Sequence, residues 1–112
     1  MAASAIKILT GSVIAAVALS ANRAVTGLGA IPAAGARSFG VTDFSGAVGD
    51  RVSVGVLGTV VAEAGAAFAA DAALEVDALG RFITKNAGVT VARAVTAAGA
   101  AGSLAEILLI PN

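Results

Sequence analysis

The sequence lacks several residue types on which much protein chemistry depends. Its 112 residues include no cysteine, histidine, tryptophan or tyrosine, and only two prolines. Without cysteine and histidine there is no disulfide scaffold, no thiol chemistry and no histidine-based catalysis, and the usual ligands of zinc, copper and iron are missing. These absences exclude the large enzyme classes that work through such groups.

Charged residues are also few, and their signs balance. Seven basic and seven acidic residues make up 12% of the chain and sum to a net charge of zero. Binding to nucleic acid or to an anionic membrane surface relies on a basic patch, so we expect neither among the partners. The longest apolar stretch, Ile8–Ala21, is shorter than the roughly twenty residues of a spanning helix and is interrupted by Thr10 and Gly11, so we expect no transmembrane span.

No motif for nucleotide, sugar or metal chemistry is complete. Gly27-x-Gly29 is followed by Pro32 where a dinucleotide fingerprint needs its third glycine, and no phosphate-binding GxxxxGK[ST] loop exists. The carboxylates are scattered over turns, without the aromatic platforms of a glycosidase or the dense spacing of a calcium loop. A small hydrolase would need a converging polar cluster, which the sequence does not display. We therefore expect no catalytic residue, no cofactor and no metal site, and a protein that is not an enzyme.

Small residues dominate the composition. Hydrophobic residues make up 58% of the chain, but about thirty of them are alanines, and 14 further positions are glycine. Alanine adds little core volume, so valine, isoleucine and leucine must form the core, with four phenylalanines as the only aromatic side chains. A core this thin favours association with further copies or with partners.

Alternating valines and glycine-rich turns predict a single, mainly antiparallel β domain. We expect a small barrel or sandwich with Gly/Ala-rich loops and less than about a fifth helix. The valine-rich strand that begins at Arg51 resumes after Gly58, where a bulge or sharp bend is predicted. A hairpin is predicted over residues 74–84 around the turn Asp77–Arg81, and the alanine-rich residues 64–73 are predicted to form a loop. The predicted core comprises Val52, Val54, Val56, Val60, Val76, Ile83, Val91 and Leu108.

The N-terminal region has two interpretations. Met1–Ala21, with the ending Leu19-Ser20-Ala21, resembles a secretory signal and its cleavage site, which would make the protein a secreted or periplasmic ligand-binding β-barrel. In the other interpretation, Gly11-Ser12 is a bend between two strands. Residues 1–22 are then an extended N-terminal arm, or the first strands, ahead of a β domain over residues 23–112.

The last two predicted strands allow an inference about register. Val89–Val95 and Leu104–Ile110 flank a loop of small residues, and each strand carries one charge. If Val95 faces Leu104, antiparallel pairing places Arg93 opposite Glu106 on one face of the sheet. We therefore predict a structural ion pair between Arg93 and Glu106 that holds the register of this hairpin.

Several short segments follow one another in a characteristic order along residues 39–110. They are Gly49-Asp50 before the valine-rich strand, Leu57-Gly58-Thr59 within it, Leu74-Glu75-Val76-Asp77 with Gly80-Arg81, then Ala92-Arg93-Ala94 and Leu104-Ala105-Glu106-Ile107-Leu108-Leu109. In this order they resemble the small capsid cement, or head decoration, proteins of tailed bacteriophages. Each segment alone is degenerate, so the resemblance lies in their succession.

The resemblance implies a structural protein of the virion. Such proteins are β-rich barrels or sandwiches added to the outer surface of an assembled head, usually as homotrimers at three-fold positions, where they lock neighbouring major capsid subunits together against internal DNA pressure. The expected partners are therefore the major capsid protein and further copies of this chain. In a protein of this kind, the apolar N-terminal segment is expected to pair as a strand with an exposed strand edge of the capsid or of a neighbouring copy. The residues predicted for that interface are Ile6, Ile8, Leu9, Val13 and Ile14.

Overall fold

The structure, a computed structural model, describes residues 4–112, and every regular element within them is a β-strand. All strand pairs are antiparallel, which confirms the predicted fold class. The alanine-rich segment before β5 is a loop, as predicted. The strands are β1 (Ile6–Ile14), β2 (Ala24–Val25), β3 (Gly40–Thr42), β4 (Arg51–Glu63), β5 (Ala73–Val76), β6 (Phe82–Thr84), β7 (Ala92–Ala94) and β8 (Leu104–Leu109).

The 13-residue strand β4 organises the sheet, because both of its edges are paired. β1 lies along one edge, whereas β3 and β8 pair with separate stretches of the other. Thr59, for example, has Ile6 of β1 on one side and Leu108 of β8 on the other. From β8 the sheet continues through β7 and β5 to β6. A bridge between Ala64 and Phe82 returns β6 to the end of β4, so the sheet is nearly closed into a barrel.

The bend predicted in the valine-rich strand lies at Gly58. This residue has a φ of +93°, a backbone conformation that side chains with a Cβ rarely adopt. A Cβ there would also collide with the Ile6 carbonyl oxygen of the paired strand. The register of β1 is irregular around Leu9, next to this point. The bend predicted at Gly11-Ser12 is wrong, since β1 runs straight through both residues.

Buried side chains form two clusters. The larger fills the barrel, and seven of its sixteen fully buried members are alanines. Phe82, Leu74 and Ile107 are the largest side chains in it with less than 2% exposure. The smaller cluster lies between β1 and the first half of β4 and comprises Val13, Ala15, Leu19, Val25, Val52 and Val54, with the half-buried Val56 packed against it.

Most of the predicted core is confirmed, with one error. Val52, Val54, Val60, Val76 and Val91 are buried, and Val56 and Ile83 are half-buried. Leu108, however, is 43% exposed. It lies on the outer face of β8, because Ala105, Ile107 and Leu109 are the side chains of that strand that point into the barrel.

The extended N-terminal arm is not confirmed. β1 is paired with β4 from Ile6 to Ile14, so this segment is part of the sheet. Val13, Ala15 and Leu19 supply three of the six buried residues of the smaller cluster. Cleavage after Ala21, as a secretory signal requires, would remove β1 and half of that cluster.

The hairpin predicted over residues 74–84 is confirmed. β5 and β6 pair with Leu74 opposite Thr84, and Gly80 in the connecting turn has a φ of +78°. The Asp77 carboxylate accepts hydrogen bonds from the backbone N–H groups of Leu79 and Arg81, each at 2.9 Å. An aspartate that opens the turn and a glycine in the left-handed region near its end are therefore sufficient to form this loop.

The Glu75 side chain holds the next loop against the barrel. Its carboxylate is 7% exposed and accepts hydrogen bonds from the backbone N–H groups of Asn86 and Gly88. These two bonds stabilise the ionised form and lower the pKa of Glu75 below its ordinary value. Gly88 in turn lies against Gly35, so the carboxylate joins two loops that are distant in sequence.

The substitution Glu75→Gln is expected to lower the free energy of unfolding at neutral pH, because an amide accepts these bonds less strongly than a carboxylate. A folded-state pKa below the unfolded value of about 4.3 stabilises the fold above that value, and this contribution is lost as the pH falls through the folded pKa. Urea titrations at neutral pH and at about pH 3 measure the free energy of unfolding of the variant and of the wild type. The difference between the two proteins should be smaller at about pH 3 than at neutral pH. A difference independent of pH would contradict this role.

Candidate interaction surface

Four neighbouring strands present an outer face with exposed apolar side chains. Residues directly opposite one another in a sheet share a face, and the pairing places Ile6, Thr59, Leu108 and Arg93 in one row across β1, β4, β8 and β7. Glu106 lies one row further along β8, beside Ser4. We define the outer patch as the exposed apolar side chains that surround Glu106 on this face, namely Ile6, Val95, Leu104 and Leu108.

β1 adds an unpaired edge to this face. Within residues 4–112 no strand pairs with β1 on the side away from β4. Ile6 and Ile8 are 70% and 80% exposed, and Leu9 and Ile14 are also exposed. An edge strand with free N–H and C=O groups is a template for another strand. Of the five residues predicted for an interface, Val13 alone is buried, in the smaller cluster, so its assignment to an interface is wrong.

The predicted pair of Arg93 and Glu106 does not form. Arg93 lies opposite Leu108, two residues from the predicted register, and its guanidinium is 3.7 Å from the Asp71 carboxylate. Next to this pairing the strands form a bulge, because the backbone N–H groups of Val95 and Thr96 both donate to the Glu106 carbonyl oxygen. The Thr96 hydroxyl also accepts a hydrogen bond from the Glu106 N–H at 3.0 Å, so both backbone polar groups of Glu106 are hydrogen-bonded at the bulge.

Glu106 is buried, and no cation within residues 4–112 pairs with it. It is 7% exposed, and among the described residues its carboxylate accepts hydrogen bonds from Ser4 alone, through N and Oγ, both at 3.4 Å and therefore weak. All seven lysines and arginines lie among the described residues, and none of them forms a salt bridge with it. Glu75, equally buried, has two backbone donors at shorter distances. Alternation along β8 places Glu106 on the outer face of the sheet, so the sequence pattern does not predict that it is buried.

The remaining ion pairs tie strand ends and loops together. Lys7 reaches across β4 at Gly55 to pair with Asp43, which also accepts a hydrogen bond from Ser53. At the end of β4, Arg23 and Arg81 both contact Glu63. Because each of these charged side chains is paired within the chain, we assign them to stabilising the fold.

A cleft of about 280 Å³ opens where β3 and β8 diverge along their shared edge of β4. Phe39, Leu57 and Ile110 are among the residues that line it, and none of the lining side chains is titratable. Across residues 4–112, no group of three or more acidic, histidine or cysteine side chains is placed to hold a metal ion. In the same part of the chain, no helix has the length and apolarity to cross a membrane.

Fold and surface together define a small all-β, barrel-like protein whose most distinctive feature is an exposed apolar face beside a free strand edge. The chain belongs to the family of phage cement proteins, which it matches over residues 4–109. The match includes β1, whereas the resemblance in the sequence began at residue 39. No match was found among curated proteins. The family description, a phage cement protein, is consistent with a structural role at the phage capsid.

Proposed function

We propose that the protein binds the outside of an assembled phage head and cements neighbouring major capsid subunits, stabilising the shell against internal DNA pressure. The observation that carries this proposal is the unpaired apolar edge of β1 in a chain of the cement family. The role is structural, with no catalytic step and no cofactor.

The surface of β1 supports the proposal on energetic grounds. Ile6, Ile8, Leu9 and Ile14 expose apolar area that is removed from water when a second surface covers it, at about 25 cal/mol per Å². A strand added to the free edge also satisfies its backbone N–H and C=O groups. Pairing through the backbone and burial of the side chains therefore act together at one place.

We propose further that the protein acts as a homotrimer on the capsid, with the major capsid protein as its other partner. Alanines make up much of the barrel interior, so this domain gains more from shared burial at an interface than one with a larger core. A net charge of zero provides no general attraction to nucleic acid or to an anionic membrane surface, so neither is proposed as a partner.

The test is reconstitution on phage heads that lack the protein. Purified protein is expected to sediment with these heads, to raise the temperature at which they release DNA, and to remain accessible to antibody on intact particles. Light scattering during size-exclusion chromatography measures the oligomeric state of the free protein. The number of copies bound per head measures it on the capsid. Failure to sediment with heads at micromolar concentration would refute the cement function for that shell, and protection from antibody would refute the outer location.

A further inference from the structure

Glu106 and the outer patch point to a specific chemistry in the partner. Resting on the proposed function, we infer that the outer patch binds a segment of the shell subunit in which a lysine or arginine is flanked by apolar side chains, with the cation paired to the Glu106 carboxylate. The outer patch is then a second contact surface, which lies on the face of the sheet next to the free edge of β1.

The argument begins with the solvation of the carboxylate. Glu106 retains 7% exposure in the free protein, and the exposed apolar side chains of the outer patch share its face of the sheet. A partner that covers Leu104 and Leu108 removes the remaining water, and a fully desolvated carboxylate is strongly unfavourable unless a cation or strong donors replace that water. The two 3.4 Å bonds from Ser4 are too long to do so. Because no other donor within residues 4–112 reaches this carboxylate, we assign the replacement to a cation of the partner.

The arginine on the same face of the sheet does not take this role. Arg93 lies on the same face in the adjacent row, but its guanidinium is directed to Asp71. Because that pair is neutral overall, it does not repel an incoming lysine or arginine. The patch thus keeps one unmatched negative charge at its centre and a neutral pair at its rim, and this charge pattern is complementary to a single central cation on an apolar segment.

The position of Ile6 connects this surface to the proposed strand pairing. Ile6 belongs both to β1 and to the outer patch, and Ser4, two residues before β1, donates to the Glu106 carboxylate. A shell segment that pairs with the edge of β1 therefore reaches the outer patch within a few residues. Edge and face form one continuous binding surface.

The experiment measures binding to heads for two variants of the patch and two matched controls. Glu106→Gln keeps the shape of the side chain and removes its charge, and Leu108→Ser removes apolar area from the patch. Glu75→Gln alters an equally buried carboxylate that lies off the patch, and Leu79→Ser alters an exposed leucine in the β5–β6 turn. We expect each patch variant to bind heads about tenfold or more weakly and each control to bind as the wild type does.

Unfolding measurements on the free protein separate this role from a structural one. Removing an unpaired buried charge is neutral or stabilising, so Glu106→Gln should unfold at the wild-type denaturant concentration or higher while its head binding falls. Wild-type binding by both patch variants would overturn the inference and leave the proposed function intact. Absence of binding by the wild type would overturn both. Dissociation of the oligomer by Leu108→Ser would assign the face to a second copy of the chain and overturn the shell assignment.

Discussion

Replacing Phe82 with alanine is expected to lower the free energy of unfolding by about 3–5 kcal/mol. Phe82 is fully buried, and it lies where β6 meets the end of β4 and closes the barrel. Its neighbours include many alanines, whose short side chains cannot move in to fill the space. Since small domains are stable by only about 5–15 kcal/mol, this single change removes a large part of the total.

Urea unfolding of the variant and the wild type, followed by circular dichroism, measures the loss. Phe44→Ala is the matched control, because Phe44 is 47% exposed, and its replacement should change stability by less than about 1 kcal/mol. Equal effects of the two substitutions would show that the barrel interior does not depend on Phe82. That result would contradict the assignment of the main core to the barrel.

Introducing charge on β1 is expected to abolish head binding without unfolding the protein. In the double variant Ile6→Asp, Ile8→Asp, two highly exposed apolar side chains are replaced by carboxylates that a covering surface would have to desolvate. If each isoleucine is an interface anchor worth about 2 kcal/mol, the affinity for heads falls by about a thousandfold. Sedimentation with heads over a range of protein concentrations measures this change.

Substitution is a sharper test of β1 than deletion. Removing the strand would expose the edge of β4 and open the smaller cluster, so a loss of binding would not be separable from a loss of folding. Leu79→Asp, in the turn between β5 and β6, introduces the same charge at an exposed apolar position and should bind heads normally. Normal binding by the β1 variant would remove this strand from the mechanism.

Features governed by local chemistry could be predicted from the sequence. The β5–β6 hairpin follows from Asp77 and Gly80, which form the turn through hydrogen bonds and backbone conformation within five residues. The bend at Gly58 follows from a single glycine inside a valine-rich strand. Alternation of valines located most of the core, because successive side chains of a strand point to opposite faces.

Features that depend on contacts between distant segments could not be predicted in this way. Nothing in residues 6–14 indicates that they pair with residues 51–59, so the sequence alone leaves open a signal, an extended arm or the first strands for this segment, and it places Val13 at an interface. The register of β7 and β8 places Arg93 opposite Leu108, two residues from the predicted pairing with Glu106. A slip of two residues keeps every side chain on its face, so the hydrophobic pattern could not distinguish the two registers.

By itself, the sequence determined an all-β domain with an alanine-rich interior, several of its turns, and its membership among phage cement proteins, because composition, alternation and turn residues act over short distances. The tertiary structure alone decided which apolar residues are exposed to a partner and which buried charge lacks an ion pair within residues 4–112. Leu108 and Glu106 acquire their roles from the strands beside them, since exposure and ion pairing depend on what covers a side chain in three dimensions. That is why the surface carrying the proposed function emerged only from the assembled sheet.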